Sequence, residues 1–367
     1  MSVSWTERKR LTTYTFIKAT GLFIAILCFI SCSSTEKKTV AQITELDYAT
    51  QLQITESTIT VQEAWPGASP KQYNIPNKTP ERIICTSTSH LYCLELLGLE
   101  NKLVGFPNVK YISSSKIREQ VEKGEVSDVG KDGNLNLELI IGLQPDLVIG
   151  FDAIGNSDDL QRISAAGIPV ILNADFMETS ALGKAEWIKF FGVLVGESTL
   201  ADSIFGQIEQ DYQALQALTK NVANRPTILS GNVYGDTWFL PGGQNNMAKF
   251  FEDAGGSYTW SEDSTTSWLE LSFESVFEKA READLWIGMG SFSSLEEIAT
   301  QDARYIDFTA YQKGKAFNYN NRQIPDGGND FFESGYMRPD LVLADLIHII
   351  HPELLPDHEL YYFRKLP

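Results

Sequence analysis

Short apolar runs alternate with amphipathic stretches over the first half of the chain. Two runs of strand type, Arg82–Cys85 and Lys102–Gly105, flank the apolar stretch Leu91–Leu99, and a third run, Asp146–Gly150, follows a short amphipathic segment. Buried strands that alternate with helices are typical of a parallel sheet covered on both faces. In such sheets, ligands bind in a crevice at the carboxyl ends of the strands. We therefore expect a ligand crevice where these three strands end.

The residues at these strand ends are polar or aromatic. Thr88, Ser89 and His90 follow the first strand, Phe106 follows the second, and Asp152 follows the third. They include no recognisable pair of a nucleophile and a general base. The pattern favours a site that holds a ligand over one that transforms it, and these five residues are predicted to line that site.

One long helix is predicted between two such regions. Apolar residues recur at helical spacing over Glu197–Asn221, and Arg225-Pro226 ends the pattern before a new strand, Thr227–Ser230. A helix of about 25 residues is about 37 Å long, enough to cross from one lobe to another. Strands and helices then alternate again towards the C-terminus. The predicted fold class is α/β: two Rossmann-like lobes with parallel sheets joined by one long α-helix, preceded by a small N-terminal β-hairpin.

The first residues have the pattern of an export signal. A basic leader precedes Gly21–Ile30, an apolar run of ten residues that is too short for a membrane span of about 20. The sequence Phe29-Ile30-Ser31-Cys32 resembles a bacterial lipobox, so we expect cleavage before Cys32 and lipidation of Cys32. An ordinary secretory signal with an incidental cysteine is the alternative. The predicted organisation is a signal peptide (1–31), a tether (32–47), a β-hairpin extension (48–78), an N-terminal lobe (79–196), a linking helix (197–224) and a C-terminal lobe (225–367).

The chain is acidic, with a formal net charge of −18. Without residues 1–31, 26 Lys and Arg residues face 47 Asp and Glu residues, which gives a net charge of −21. Such a chain is repelled by phosphate backbones, so no nucleic acid is expected as a partner. Cys85 and Cys93, without further Cys or His at metal-ligand spacing, make no zinc site. We expect buried free thiols; a disulfide between them is the alternative, since an export compartment permits one.

The motifs of common enzyme classes are missing. The sequence contains no G-x-S-x-G elbow, no H-E-x-x-H pair and no P-loop. Its four histidines are scattered, and only His90 falls in a predicted crevice loop, which disfavours binding of a bare metal ion. His90 is open to two interpretations: a residue beside a helix start, or an axial ligand to iron or cobalt in a bound chelate. No intrinsic cofactor is predicted.

Aromatic residues in predicted loops are the strongest indication of the ligand. Large rings fall in predicted loops, where core packing does not require them, at Trp65, Tyr73, Tyr234, Trp238, Phe239, Trp260 and Trp268. Such rings offer wide apolar area to a flat, bulky ligand. About half of the loop aromatics are expected to pack their loops onto the lobes instead. Tyr234 and Trp238, in the first loop of the second lobe, are the best ligand candidates.

Arg322 is a further candidate because it follows the predicted strand Phe317–Tyr319. An arginine at a strand end can pair with a carboxylate or a phosphate of a ligand. The alternative is a structural salt bridge, with Glu333 as the partner. The sequence leaves both interpretations open.

Several motifs occur in a fixed order and carry a family resemblance. RIICTSTSHLYCLELLGLENKLVGF is followed by VGKDGNLNLELIIGLQPDLVIGF, and more loosely by ISAAGIPVILN, EWIKFFGVLVGE, FFEDAGG and FTAYQKGKAFNY. From Arg82 to Leu346 the chain resembles the substrate-binding proteins of ABC importers for iron siderophores, haem and cobalamin. The resemblance implies a non-enzymatic, monomeric receptor of the helical-backbone type. It also implies a ligand that carries iron or cobalt, and an ABC permease with its ATPase as partners.

The same resemblance implies one docking glutamate on the top helix of each lobe. Tyr92 and Lys249 stand at the matching positions, and Glu95 and Glu252 lie three residues later on the same helical face. We expect Glu95 and Glu252 to carry the docking charge. The alternative is that both are ordinary solvated acids.

Together these features predict a lipid-anchored receptor on the periplasmic side of a membrane. It captures a metal chelate, either a ferric siderophore, haem or a cobalamin-type corrinoid, and delivers it to an ABC import permease. The alternative is an exported, lipid-anchored hydrolase acting on a chelate or glycan. A sensor or scaffold without transport partners is also open, because Tyr92 and Lys249 depart from the family pattern.

Overall fold

The computed structural model describes residues 46–131, 133–153, 155 and 158–367. The predicted signal peptide, Cys32 and most of the predicted tether lie outside the described residues. Within the described part of the chain, no helix combines the length and apolar character that crossing a membrane requires.

A three-stranded antiparallel sheet comes first. It consists of β1 (Leu52–Ile54), β2 (Thr58–Val61) and β3 (Lys71–Asn74), in that order. The predicted hairpin is present as β1 and β2, and β3 adds a strand to it. Two buried carboxylates hold the segment just before β1. The backbone N–H groups of residues 47–49 donate to Glu186 at 2.8–3.0 Å, and those of residues 50 and 51 donate to Glu178 at 2.9 and 2.8 Å.

The N-terminal lobe is built on a five-stranded parallel sheet of order β10-β9-β4-β5-β6. Its strands, with the short antiparallel pair β7–β8, are β4 (Ile83–Cys85), β5 (Leu103–Phe106), β6 (Ser127–Asp128), β7 (Gly130–Lys131), β8 (Asn134–Leu135), β9 (Leu147–Gly150) and β10 (Val170–Leu172). Strands β4, β5 and β9 are buried along their whole length, which explains their continuous apolar sequence.

Helices that the structure describes in this lobe accompany the sheet. They are α1 (Thr88–Leu96), α2 (Ser115–Glu122), α3 (Leu137–Leu143), α4 (Asp158–Ala165), α5 (Ala181–Glu186) and α6 (Ile188–Val195). Helix α6 ends at Gly196, whose left-handed φ of 80° suits a glycine at a helix C-terminus. Cys85 and Cys93 are free and buried in this lobe, as predicted.

The predicted long helix is confirmed as α7 (Ser198–Thr219), which has 22 residues. Ala201, Phe205 and Ile208 of α7 belong to the hydrophobic core of the N-terminal lobe. Tyr212, one turn further on, belongs to the core of the C-terminal lobe. One continuous helix therefore takes part in both cores and joins the lobes without a flexible crossover.

The C-terminal lobe repeats the layered architecture with a five-stranded sheet of order β14-β11-β16-β17-β18, parallel except for β18. A second, antiparallel sheet of order β12-β13-β15 rises from the end of β11. The strands are β11 (Thr227–Leu229), β12 (Asn232–Tyr234), β13 (Thr237–Pro241), β14 (Ser257–Tyr258), β15 (Trp268–Leu271), β16 (Leu285–Ile287), β17 (Ala316–Asn318) and β18 (Arg364–Lys365).

The helices of this lobe complete the fold. They are α8 (Asn246–Asp253), α9 (Phe273–Ala280), α10 (Leu295–Gln301), α11 (Thr309–Gln312), α12 (Asp330–Glu333) and α13 (Pro339–Ile350). Helix α13 packs against α7. The lobe core is aromatic: the Trp238 ring stacks on Trp286 with centroids 5.7 Å apart and meets Tyr305 edge-on at 5.5 Å.

Candidate functional site

A cavity of about 320 Å³ lies where the two lobes face each other. The N-terminal lobe contributes Thr88, at the start of α1, and Tyr111, between β5 and α2. The C-terminal lobe contributes the loops that follow β16 and β17 and part of α12, with the lining residues Gly290, Ser291, Tyr319, Gln323, Gly327, Gly328, Asn329 and Phe332. These loops begin at the carboxyl ends of parallel strands, which is where α/β sheets place their ligands.

A second cavity of about 290 Å³ continues the first into the C-terminal lobe. The two cavities share Gly290 and Tyr319, so we treat them as one interlobe cleft. The second cavity is lined by Ser230, Gly231, Asn232, Phe239, Pro241, Met247, Trp268, Gly288, Gly290 and Tyr319. The antiparallel sheet β12-β13-β15 forms its outer wall, because Phe239, Pro241 and Trp268 are on that sheet.

Tyr319 is the fixed aromatic element at the middle of the interlobe cleft. Its ring stacks on Phe331 with centroids 4.8 Å apart and meets Phe332 edge-on at 5.4 Å. Burial raises the pKa of the Tyr319 phenol, so the ring stays neutral. Tyr319 therefore offers a preformed apolar face to a ligand at a low cost in entropy.

Two glycines allow the chain to pass close to its neighbours at the cleft wall. A Cβ atom on Gly328 would lie 2.4 Å from the backbone oxygen of Tyr111 in the other lobe. Gly290 has a φ of 68°, and a Cβ atom there would lie 2.7 Å from Oδ1 of Asn232. Both positions require glycine. A side chain at Gly328 would force the two lobes apart, and a side chain at Gly290 would collide with Asn232.

Glu333 of α12 connects the lobes beside the cleft. Its carboxylate accepts the backbone N–H groups of Ser113 and Ser114, at the start of α2, at 2.6 and 2.8 Å. Nearby, the Thr88 hydroxyl donates to the Phe332 carbonyl at 3.3 Å. Burial raises the pKa of the Glu333 carboxyl to about 7, against the opposing effect of the two N–H donors. This interlobe contact holds the faces of the cleft together.

Of the residues predicted from the sequence, Thr88 and Trp268 line the interlobe cleft. Trp65 and Asp152 instead line a separate cavity of about 450 Å³ beside β10 and α4. That cavity is larger, but only the N-terminal lobe and its N-terminal sheet contribute to it. We base the site on the interlobe cleft because both lobes converge there on strand ends.

Ser89, His90 and Phe106 are placed in the core of the N-terminal lobe and not in the cleft. Helix α1 begins at Thr88, and its first turn carries Ser89 and His90 inwards. The His90 ring is fully buried, 5.8 Å from the ring of Phe191, and burial lowers its pKa to about 4. A neutral imidazole enclosed in this way is not presented to a ligand, so the structure gives no support to axial ligation by His90.

Tyr234 and Trp238 point to opposite faces of the β12–β13 hairpin, because side chains alternate between the two faces along a strand. Trp238 pairs with Val233 on the inner face of the β12–β13 hairpin and is fully buried. Tyr234 is on the outer face and is 80% exposed, but it does not line the cleft. The outer face of β13 presents Phe239 to the cleft. Phe239 is one of the loop aromatics indicated by the sequence, but Tyr234 and Trp238 were preferred to it; alternation from the buried Trp238 favours Phe239 instead.

Arg322 forms a structural ion pair, but with Asp330 and not with the predicted Glu333. Its guanidinium also lies 4.4 Å from the centre of the Tyr361 ring. These contacts pair the guanidinium with a carboxylate and an aromatic ring, and Arg322 does not line the cleft, so the structure favours the structural interpretation of Arg322.

The two predicted docking acids differ in their surroundings. Glu95 accepts a hydrogen bond from the Ser114 hydroxyl at 2.6 Å and lies 3.4 Å from Lys116. Its side chain is 19% exposed, whereas that of Glu252 is 68% exposed and lies 3.8 Å from Lys249. Glu252 is therefore the more accessible of the two. A docking role for either residue stays a prediction.

Comparison with known proteins supports a binding role. An uncharacterised lipoprotein of Methanocaldococcus jannaschii is 23% identical over 306 residues, 80% of this chain and 70% of that protein. An uncharacterised ABC transporter substrate-binding lipoprotein of Bacillus subtilis is 28% identical over 148 residues, 40% of this chain and 44% of that protein. A periplasmic haem-binding protein from Roseiflexus sp. RS-1, solved in apo form, shares the fold with a TM-score of 0.57. It is 20% identical, and the match covers 75% of this chain and 99% of that one.

The periplasmic binding protein family matches residues 83–322, which include the strands that end at the cleft, the linking helix and most of the second lobe. This match agrees with the resemblance found in the sequence and with the geometry of two α/β lobes around a cleft. The chain thus belongs to the periplasmic binding protein family, a family of non-enzymatic receptors.

Proposed function

We propose that the protein is an extracytoplasmic receptor that captures a metal chelate and delivers it to an ABC import permease. The chelate is a ferric siderophore, haem or a cobalamin-type corrinoid. The periplasmic binding protein family supports the receptor role. The named function of the Bacillus subtilis relative supports the ABC importer, and the haem-binding fold neighbour supports a bulky chelate as ligand.

The observation that carries the proposal is the aromatic interlobe cleft. Its two parts measure about 320 and 290 Å³, at the lower end of the range of about 300–1,000 Å³ that is typical of small-molecule sites. Tyr319 and Phe332 line the first part, and Phe239 and Trp268 line the second. Flat rings around an open cleft suit a ligand with a large apolar surface.

The proposed mechanism is burial of the intact ligand between two preformed faces. Helix α7 takes part in both cores, and the Glu333 carboxylate joins α12 to the start of α2. Both features restrict rotation of one lobe against the other, so we expect little hinge motion on binding. A lipid anchor at Cys32 would keep the receptor close to the permease, and the lipoprotein relatives support such an anchor.

The test is binding of an intact chelate by the full chain, with two aromatic variants as a matched pair. Trp268 and Tyr234 are both exposed on the same antiparallel sheet, but only Trp268 lines the cleft. Calorimetric titration with a panel of ferric siderophores, haem and corrinoids should identify a ligand. Trp268→Ala should weaken its binding by about 10-fold or more, and Tyr234→Ala by less than about 2-fold.

Mass spectrometry of the recovered ligand separates this receptor from the alternative hydrolase. A receptor returns the chelate unchanged. Conversion of the chelate to a cleaved product, or equal losses of affinity in the two variants, would contradict the proposal.

A further inference from the structure

We infer that the interlobe cleft selects electrically neutral chelates over anionic ones. This inference rests on the proposed function, since it names the class of chelate that the receptor accepts. Its starting point is the lining of the cleft. Among the residues that the structure describes, those lining the two connected cavities include no Lys, Arg, His, Asp or Glu.

The basic side chains next to the cleft are engaged elsewhere. Arg322 precedes the lining residue Gln323 and pairs with Asp330. Arg118 lies 4.0 Å from Asp326, which precedes the lining residue Gly327. These contacts place a carboxylate beside each guanidinium, so neither arginine provides an uncompensated positive charge for an anionic ligand.

Lys110, the residue before the lining residue Tyr111, contacts an aromatic ring. The Lys110 ammonium lies 4.8 Å from the centre of the Tyr111 ring, and Tyr111 itself lines the cleft. A cation–π contact leaves the charge in place but orients it towards the ring. Lys110 thus adds one partly engaged positive charge beside a lining residue, too little to balance a ligand with several negative charges.

The polar groups that do line the cleft match neutral ligand edges. The Gln323 amide and the Ser291 hydroxyl make no side-chain hydrogen bond within the described part of the chain. An amide offers two donors and an acceptor, and a hydroxyl offers one donor and acceptor sites. Such groups pair with the amide, hydroxamate or hydroxyl edges of a chelate without adding charge, while Tyr319 and Trp268 cover its apolar surface.

The charge of the whole chain acts in the same direction. A net charge of −18 produces a negative potential that disfavours the approach of anions. Transfer of an anionic chelate into a cleft without a counter-charge adds a desolvation penalty that nothing in the lining offsets. A neutral ferric trihydroxamate or a neutral corrinoid meets neither penalty, whereas a ferric tricatecholate with three negative charges meets both.

The test compares two ferric chelates of similar size that differ in charge. The full chain is titrated by calorimetry with a neutral ferric trihydroxamate and with a trianionic ferric tricatecholate. The neutral chelate should bind about 100-fold more tightly or better. Equal binding, or tighter binding of the trianion, would overturn the inference and leave the proposed receptor function standing. If neither these nor haem nor a corrinoid binds, the proposed function is overturned, and this inference with it.

A pair of charge-adding variants checks that the cleft lining sets the preference. Gln323→Lys adds a positive charge inside the cleft, and Tyr234→Lys adds the same charge on an exposed site outside it. Gln323→Lys should strengthen binding of the trianion by about 10-fold or more, while Tyr234→Lys should change it by less than about 3-fold. Equal effects of the two variants would assign the preference to the overall charge of the chain and overturn the role of the lining.

Discussion

Burial of the Glu333 carboxyl beside the start of α2 predicts that stability depends on pH in a specific direction. Burial raises the pKa of the Glu333 carboxyl from its ordinary value of 4.5 to about 7. The folded state therefore binds a proton more tightly than the unfolded state. The stabilisation is complete below pH 4.5 and is lost as the pH rises through about 7.

The size of the effect follows from the same two values. A difference between 4.5 and about 7 corresponds to about 3 kcal/mol in the free energy of unfolding. Glu333→Gln removes the titrating group but keeps the shape of the side chain and one oxygen acceptor for the N–H groups of Ser113 and Ser114. The lost acceptor changes stability by a constant amount, so it does not affect the slope against pH.

Urea unfolding followed by circular dichroism, repeated across this pH range, measures the effect. Relative to the wild type, Glu333→Gln should gain about 3 kcal/mol in the free energy of unfolding between pH 4.5 and pH 8. Glu122→Gln, which changes an exposed carboxylate on α2, serves as the control and should run parallel to the wild type. A Glu333→Gln curve that also runs parallel to the wild type would refute the role assigned to this carboxylate.

Further predictions test the roles assigned to residues in the core, in the cleft and at the contact with the N-terminal segment. Trp238→Ala should lower the free energy of unfolding by about 3–5 kcal/mol because the ring is fully buried, while Trp268→Ala should change it by about 0.5 kcal/mol. Urea titrations of the two variants would measure these changes, and equal losses would contradict the placement of the two rings. Gly328→Ala should weaken ligand binding in calorimetry, because its Cβ atom would lie 2.4 Å from the Tyr111 oxygen; unchanged affinity would show that the lobes need not approach so closely. Glu186→Gln should speed proteolysis just before β1, because this carboxylate accepts three backbone N–H groups there; an unchanged digestion rate would contradict that anchoring role.

The layered fold was predictable because its signals are local. Buried parallel strands read as continuous apolar runs, and Ser198–Thr219 repeats its apolar residues at helical spacing without an internal break. The small antiparallel sheet of the second lobe was not predicted. Its strand β15 has no fully buried residue and no apolar alternation long enough to identify it, so Trp268 was expected in a loop.

The site was harder to predict because it depends on the direction in which each side chain points and on contacts between residues far apart in the chain. Trp238 and Phe239 are neighbours in sequence but face opposite sides of one strand, and only the pairing with β12 and β15 decides which ring is buried. His90 was placed in a crevice loop because the first turn of α1 could not be oriented from the sequence. The contact of Glu333 with residues 220 and 219 positions away in the chain leaves no sequence signal at all.

Hydrogen exchange of the full chain with and without a bound chelate tests the central claim, that both lobes hold the ligand in the cleft between them. Exchange should become slower in two separated segments, around Thr88–Tyr111 in the first lobe and around Gly288–Phe332 in the second. Protection in one lobe alone, or protection centred on the separate cavity beside Trp65, would contradict this claim.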